Sequence, residues 1–139
     1  MSEYIIYLRK SQMDRDYDEL TVKETLNRHR SILTEMCTSR KLNFTETLEE
    51  VVSGEALSAR PQMLKLLELV STGRYDGVVC MDIDRLSRGD GVDSGYIMQV
   101  LKWNNCKIIT PNKTYDLMNE SDEQFTDIKF LFSRYELKT

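Results

Sequence analysis

Residues 77–90, GVVCMDIDRLSRGD, pass from an apolar run into a dense group of charges within a few positions. The apolar part, GVVCMDI at residues 77–83, is the clearest strand pattern in the chain. It is followed at once by Asp84, Arg85 and Arg88. In open α/β sheets, functional groups gather just beyond the carboxyl ends of the strands. The stretch therefore predicts an α/β fold and the place of a charged site within it.

The rest of the chain alternates between strand and helix patterns. Apolar runs or alternation predict further strands at residues 4–8, 44–52 and 106–110. Apolar residues at helical spacing predict helices at 22–37, from Pro61 to Gly73, at 92–103, and from Ser121 to the last residue. In the helix at 92–103, the spacing predicts that Tyr96 and Trp103 share the buried face with Val92 and Val100.

Strands that alternate with helices predict βαβ units. We therefore expect an α/β domain with a mostly parallel central sheet and helices on both faces. At 139 residues the chain is long enough for one domain with its own core. Polar, aperiodic stretches predict mobile loops at residues 11–20, 52–60 and 111–121.

Composition narrows the classes of function. The net charge is -4, from 19 Lys+Arg against 23 Asp+Glu, so any binding of nucleic acid must depend on a local cluster of cations. The three cysteines lack metal-binding or CxxC spacing and are predicted to be packing thiols. No apolar run reaches the roughly 18 residues that span a bilayer. We expect a cytoplasmic protein without a membrane partner.

Charged and hydroxyl side chains follow three of the predicted strands. They are Arg9 and Ser11 after the first strand, Ser53 and Arg60 after the second, and Asp84, Arg85 and Arg88 after the third. Guanidinium groups bind phosphate oxygens through paired hydrogen bonds, and several aimed at one point make a phosphate site. A serine there could attack a phosphodiester, with the cations stabilising the charge that develops.

Taken one at a time, the polar residues of this chain have ordinary structural explanations. A lone arginine after a strand usually pairs with a surface acid. His29 falls on the apolar stripe of its helix, where a partly buried, satisfied histidine is the usual case. Glu49 and Glu50 are interpreted as the solvated end of a strand. Only the convergence of several segments on one sheet edge favours a site.

Three motifs together resemble the catalytic domain of serine recombinases. They are Tyr7-Leu8-Arg9-Lys10-Ser11, then Val52-Ser53-Gly54 with Arg60-Pro61, then Asp84-Arg85-Leu86-Ser87-Arg88. Their order and separation match the family over essentially the whole chain. The stretches VVSGEALSARPQM and VCMDIDRLSRGD resemble in particular the large serine recombinases, the phage integrases and transposases.

The resemblance implies a resolvase-like three-layer domain that recombines DNA at specific sites. Ser11 matches the nucleophile that forms a 5′-phosphoserine link and releases a 3′ hydroxyl before strand exchange and religation. The matching arginines around the phosphate are Arg9, Arg60, Arg85 and Arg88, with Asp84 as the adjacent acid and Ser53 in an assisting position. Neither a metal nor a nucleotide cofactor is implied.

The resemblance also implies partners and missing parts. Family members bind double-stranded DNA attachment sites as homodimers and assemble a homotetramer in the synaptic complex. Large serine recombinases continue through a long helix into DNA-binding and zinc-bearing domains. We therefore expect residues 1–139 to be a catalytic domain that is truncated inside the helix beginning near residue 121, with those other domains absent.

Two other classes of function stay open. Asp82 and Asp84 form a D-x-D pair at the end of the predicted strand, a spacing that also suits Mg²⁺ in metal-dependent phosphotransferases and nucleases. Alternatively, the chain is a non-catalytic, flavodoxin-like module that binds a phosphorylated ligand or a partner protein. Cleavage in the presence of a chelator separates the first alternative from the recombinase.

Overall fold

The computed structural model describes residues 2–11, 19–52, 60–86 and 91–119. The strands are β1 (Glu3–Ser11), β2 (Phe44–Val52), β3 (Tyr75–Val79), β4 (Lys107–Ile109) and β5 (Thr114–Tyr115). The helices are α1 (Glu19–Arg40), α2 (Pro61–Val70) and α3 (Gly91–Trp103), and a 3₁₀ turn covers Ile83–Arg85. The helix predicted from Ser121 lies outside the described residues.

The five strands form one sheet in the order β2-β1-β3-β4-β5. The pairs β1–β2, β1–β3 and β3–β4 are parallel, and β5 runs antiparallel to β4. Parallel neighbours need crossover connections, which the helices supply. The carboxyl ends of β1, β2 and β3 therefore meet at one edge of the sheet. The predicted α/β fold with a mostly parallel sheet is confirmed.

The two faces of the sheet carry separate apolar cores, because side chains alternate along β1. Ile6 and Leu8 pack under α1 together with its Leu26 and Leu33. On the opposite face, Ile5 and Tyr7 belong to the core that α2 and α3 cover. This arrangement confirms the prediction of helices on both faces.

The limits of α2 follow from two residues. Pro61 occupies the first turn, where its missing amide hydrogen costs nothing. At the other end, Gly73 adopts a left-handed conformation with φ of 79° and its amide donates to Val70 O at 3.0 Å. Both ends agree with the sequence prediction.

The strand predicted over residues 77–83 ends earlier than expected, at Val79. Asp82 is extended, and its side chain accepts a hydrogen bond from the Ile83 amide at 2.7 Å, which caps the 3₁₀ turn. A short acidic side chain offers the backbone an alternative to the strand ladder. The prediction that Asp82 and Asp84 stand at the end of a strand is therefore wrong, because the strand ends three residues before Asp82.

The buried face of α3 also differs from the prediction. Tyr96 and Trp103 are 51% and 74% exposed, whereas Ile97, Met98, Val100 and Leu101 are buried. Aromatic and aliphatic residues form adjacent stripes on this helix, and periodicity alone does not choose between them. The aliphatic stripe packs into the core that α3 shares with α2 and the sheet.

The loop predicted at residues 111–121 contains β5 in its described part. Thr110 closes the turn before this strand, since its backbone amide and hydroxyl both donate to Lys113 O, at 2.9 and 2.8 Å. A strand of two residues is too short to show an alternating pattern. Within the other two predicted loops, residues 12–18 and 53–59 lie outside the described residues.

The three cysteines, Cys37, Cys80 and Cys106, are buried and none forms a disulfide. Burial raises the pKa of Cys106 to about 12, so its thiol stays protonated. These observations agree with packing thiols. None of the helices in the described ranges is long and apolar enough to cross a membrane.

Candidate active site

Three arginines from three chain segments meet at the carboxyl edge of the sheet. Arg9 comes from β1, Arg60 from the residue before α2, and Arg85 from the 3₁₀ turn after β3. Arg60 Nη2 donates to Arg85 O at 3.2 Å, and Arg85 Nη1 donates to Arg9 O at 3.3 Å. Arg9 and Arg60 are only 1% and 0% exposed. The edge thus carries a cluster of cations that is mostly withdrawn from water.

A buried tyrosine holds the Arg60 guanidinium. Arg60 Nη2 donates to the hydroxyl of Tyr7 at 2.8 Å, and that hydroxyl donates in turn to Glu50 Oε2. The guanidinium carbon also lies 5.8 Å from the centre of the Tyr7 ring, within the range of a cation–π contact. Burial raises the pKa of Tyr7, so the phenol stays neutral and keeps the proton that it donates to Glu50.

Glu50 joins this cluster to the start of α2. Its Oε1 accepts from the Gln62 amide at 3.1 Å, and its Oε2 accepts from the Met63 amide at 3.2 Å. Arg60 itself makes no side-chain cap at this helix end. Arg60 Nε lies 3.8 Å from Glu50 Oε2. A carboxylate in this place is favoured by the partial positive charge of the helix N-terminus.

The prediction that Glu50 belongs to a solvated strand end is wrong, because Glu50 is 7% exposed. In the parallel register of β1 and β2, Glu50 pairs with Arg9, so both side chains point to the face that α2 covers. Glu49 points the other way and forms an ion pair with Arg30. The sequence signal was present: Pro61 marks a helix start whose amides need an acceptor, and Leu48 and Glu50 share a strand face.

The buried cations are not fully satisfied by the described residues. The Nε atoms of Arg60 and Arg85 are buried without a hydrogen-bond acceptor in the described ranges. The carboxylate that contacts Arg60 is that of Glu50, and it is shared with Tyr7 and with two amides of α2. Buried charged donors without acceptors are costly unless a ligand supplies them. The chemistry of this donor set fits an anion with several oxygen atoms, such as a phosphate group.

A family model described as "Resolvase, N terminal domain" matches residues 4–139. The chain belongs to the resolvase family. The resemblance to serine recombinase catalytic domains, which the three motifs carried, is thereby confirmed.

Solved structures share the fold of this resolvase-family domain. The N-terminal catalytic domain of TP901-1 integrase is 20% identical, with a TM-score of 0.68 over 99% of this chain and 98% of that one. A resolvase family site-specific recombinase from Streptococcus pneumoniae is 14% identical, with a TM-score of 0.72 over 99% and 91%. The C-terminal catalytic domain of ISC1926 TnpA, an IS607-like serine recombinase, is 25% identical, with a TM-score of 0.63 over 94% and 79%.

The remaining residues predicted for the site of this resolvase-family domain are described only in part. Ser11 is the last residue of β1, opposite Val52 of β2, and Asp84 is the middle residue of the 3₁₀ turn. The side chains of both residues lie outside what the structure describes, as do Ser53 and Arg88 entirely. The described part therefore brings together Arg9, Arg60 and Arg85.

His29 belongs to α1, which packs on the other face of the sheet. It is 8% exposed, which agrees with its predicted place on the apolar stripe. Burial lowers its pKa, and the charges of Arg85, Arg28 and Lys10 lower it further. The resolvase-family domain thus favours the neutral form of this imidazole. Within the described ranges, no group of three or more His, Cys, Asp or Glu residues could hold a metal ion.

Proposed function

We propose that this domain cleaves and rejoins DNA as the catalytic part of a site-specific recombinase, with Ser11 as the nucleophile. Membership of the resolvase family supports the reaction class. The observation that carries the proposal is the chain of contacts from Arg60 through Arg85 to Arg9, at the edge where β1 ends with Ser11. Cations collected from three segments beside a serine suit phosphoryl transfer better than ordinary surface pairing.

The reaction has two balanced transesterifications. The Ser11 hydroxyl oxygen attacks the phosphorus as its proton leaves, the bond from phosphorus to the 3′ oxygen breaks, and that oxygen takes up a proton. The product is a 5′-phosphoserine link and a free 3′ hydroxyl. After strand exchange, the 3′ hydroxyl of the new partner strand attacks the phosphoserine and releases Ser11. The phosphoester bond is conserved, so the scheme needs no nucleotide, and in it the arginines take the charge-stabilising place that a metal ion has in other phosphoryl-transfer enzymes.

The arginines act on the charge of the transition state. Negative charge builds on the non-bridging phosphate oxygens, and guanidinium donors held in place beforehand stabilise it without reorganisation. In this scheme Arg9, Arg60, Arg85 and Arg88 surround the phosphate. Asp84 orients the arginines or carries the proton of the leaving group, and Ser53 assists at the site.

Tyr7 and Glu50 are positioning residues in this scheme. The hydroxyl of Tyr7 and the carboxylate of Glu50 restrict the Arg60 guanidinium, which carries many rotamers when unrestrained. A preformed donor can lower the barrier more than one that must first be ordered. The partner is double-stranded DNA at an attachment site, bound by a dimer and recombined within a tetramer of this chain.

Covalent capture tests the proposal and finds the attachment site in the same experiment. The protein that carries this domain is incubated with fragmented genomic DNA, denatured, and washed, and the DNA that stays attached is sequenced. We expect enrichment of a defined site, with 5′ ends blocked by protein, and equal yield in the presence of a chelator.

Two serine variants test whether Ser11 is the nucleophile. Ser11→Ala should abolish the covalent species, while Ser2→Ala, an exposed serine just before the same strand, should leave its yield unchanged. A covalent species that persists in Ser11→Ala, or one that disappears with the chelator, would contradict the proposal.

A further inference from the structure

Helix α3 carries two aromatic side chains on its outer side. Tyr96 is 51% exposed and Trp103 is 74% exposed, whereas Ile97 and Leu101 belong to the core. Tyr96 and Trp103 are seven residues apart, which is about two helical turns, so they lie on one side of α3, about 10 Å apart along its axis. Gln99, which is also exposed, lies between them. Exposed aromatic residues in a row of this kind indicate a surface on which another segment packs.

The described part of the chain ends at the same end of the molecule as α3. Strands β3 and β4 are parallel, so α3, which connects them, runs back to the edge where these strands begin, the amino edge, and ends there at Trp103. Strand β5 is antiparallel to β4 and therefore also runs towards the amino edge. Beyond β5, Leu117 packs into the core that α3 covers, and Met118 is 62% exposed. The chain thus continues past Asn119 from the neighbourhood of Trp103.

The sequence beyond Asn119 supplies a complementary apolar stripe. The helix predicted from Ser121 has apolar residues at intervals of three and four, namely Phe125, Ile128, Phe132 and Tyr135. In proteins, most of the stability of an amphipathic helix comes from the packing of its apolar face. This stripe therefore needs a surface to cover it.

The spacing of aromatic residues is the same in the two segments. Phe125 and Phe132 are seven residues apart, as are Tyr96 and Trp103. A helix that starts at the amino edge and passes along α3 must run antiparallel to it. In that direction Phe125 would lie opposite Trp103, and Phe132 opposite Tyr96.

We propose that residues 121–139 form a helix that packs antiparallel on the outer side of α3, within the same chain, and covers Tyr96 and Trp103. Only Glu120 separates this segment from the described part of the chain. A tether that short gives the segment an effective concentration on the order of millimolar beside α3, which a second copy or another protein does not have. The inference does not depend on the reaction proposed above.

The packed helix would bring the end of the chain back to the site. Residues 121–139 would rise about 28 Å along a helix, more than the 13 residues of α3. Because α3 runs from the carboxyl edge of the sheet to the amino edge, the segment would return to the carboxyl edge. That edge carries the arginine cluster.

Trp103 reports on this contact, because it is the only tryptophan among the 139 residues. Its fluorescence emission and its quenching by acrylamide are measured on the full chain, before and after unfolding in urea. We expect the folded chain to emit at shorter wavelength and to be quenched less than the unfolded chain. Emission and quenching that are the same in both states would overturn the proposal.

Two phenylalanines of the segment provide a matched comparison. Phe125 belongs to the apolar stripe, whereas Phe130, five residues later, faces away from it in a helix. Phe125→Ala should shift the emission of Trp103 to longer wavelength and increase its quenching. Phe130→Ala should change neither. An effect of Phe130→Ala that equals or exceeds that of Phe125→Ala would overturn the proposal.

Double-mutant cycles test the direction of packing without the tryptophan signal. Urea midpoints are measured by circular dichroism for alanine variants of Trp103, Phe125, Tyr96 and Phe132, singly and in pairs. The pairs Trp103 with Phe125 and Tyr96 with Phe132 should lose less midpoint than the sum of their single losses, because each pair shares one contact. The crossed pairs should be additive. Additive losses in all pairs, or coupling in the crossed pairs alone, would overturn the proposal. Leucine replaces alanine at any phenylalanine whose alanine variant does not fold.

Dilution distinguishes a contact within one chain from a contact between two chains. The emission of Trp103 is recorded over a wide range of concentration, and sedimentation gives the oligomeric state at each one. A covered Trp103 in monomers would support the proposal. A Trp103 that is covered only in dimers would show that a second copy packs on α3, and would overturn it.

Discussion

Arg60 shows how a buried cation is kept in one place. Its guanidinium is fully covered and contacts the Tyr7 hydroxyl, the Glu50 carboxylate and the Arg85 carbonyl. Each of these groups comes from a different element, so the orientation of Arg60 depends on the fold as a whole. A side chain held in this way loses little further entropy when a phosphate arrives.

The carboxylate of Glu50 should contribute more to the free energy of unfolding than the carboxylate of Glu49. Glu50→Gln leaves the Arg60 charge buried without its counter-charge, which we expect to lower the free energy of unfolding by about 3 kcal/mol. Glu49→Gln removes only the exposed pair with Arg30 and should cost less than about 1 kcal/mol. Urea denaturation of both variants measures the difference. Equal losses would contradict the role assigned to Glu50.

The hydroxyl of Tyr7 should matter more for rate than for binding of DNA. Tyr7→Phe removes one of the three groups that orient Arg60, so we expect the rate of covalent capture to fall about tenfold or more. DNA affinity should stay nearly unchanged, since phosphate contacts by the other cations persist. Tyr4→Phe, at the half-buried start of the same strand, is the control. A loss of affinity without a loss of rate would show that Tyr7 serves binding.

At the scale of elements, the long periodic segments could be predicted and the short ones could not. The strand Phe44–Val52 and the helix start at Pro61 are as the sequence indicated, because a nine-residue alternation and a proline are strong local constraints. The end of β3 could not be predicted, because the hydrogen bond from the Ile83 amide to the Asp82 side chain starts a 3₁₀ turn where the apolar pattern still continues. The burial of Glu50 depended on α2 covering β2, a tertiary contact that no single segment reveals.

Two glycines provide a test of the helix boundaries. A Cβ at Gly73 would meet no neighbour within 4 Å, but Gly73→Ala forces a side chain into the left-handed conformation that ends α2. We therefore expect it to lower the free energy of unfolding by about 1 kcal/mol. Gly95→Ala, inside α3 and equally open, should instead stabilise by up to about 1 kcal/mol. Thermal and urea unfolding of the two variants gives the sign of each change in the free energy of unfolding. Two changes in the same direction would contradict the assigned boundaries.

At the scale of the molecule, the charge is distributed unevenly. A chain of net charge -4 carries three arginines in contact at one sheet edge. The opposite edge pairs Arg74 with Glu3, and this contact lowers the pKa of Glu3. Such a molecule attracts a polyanion at one place rather than over its whole surface.

The stability of the molecule should depend on pH through His29. Its pKa in the folded chain lies below the ordinary value of 6.5, so just below pH 6.5 the unfolded chain binds a proton that the folded chain does not. The free energy of unfolding should therefore fall as the pH drops from 7 through this range. His29→Gln should flatten the dependence, measured by urea denaturation at several pH values. An identical slope in the variant would show that other groups cause it.

The central claim is that the three arginine-bearing segments collect around Ser11 to receive a DNA phosphate. Mass spectrometry of the captured covalent complex, after nuclease and protease digestion, tests it most directly. We expect a nucleotide linked through its 5′ phosphate to the peptide that contains Ser11, with fragment ions placing it on that serine. A nucleotide on any other residue, or a link through a 3′ phosphate, would contradict the account.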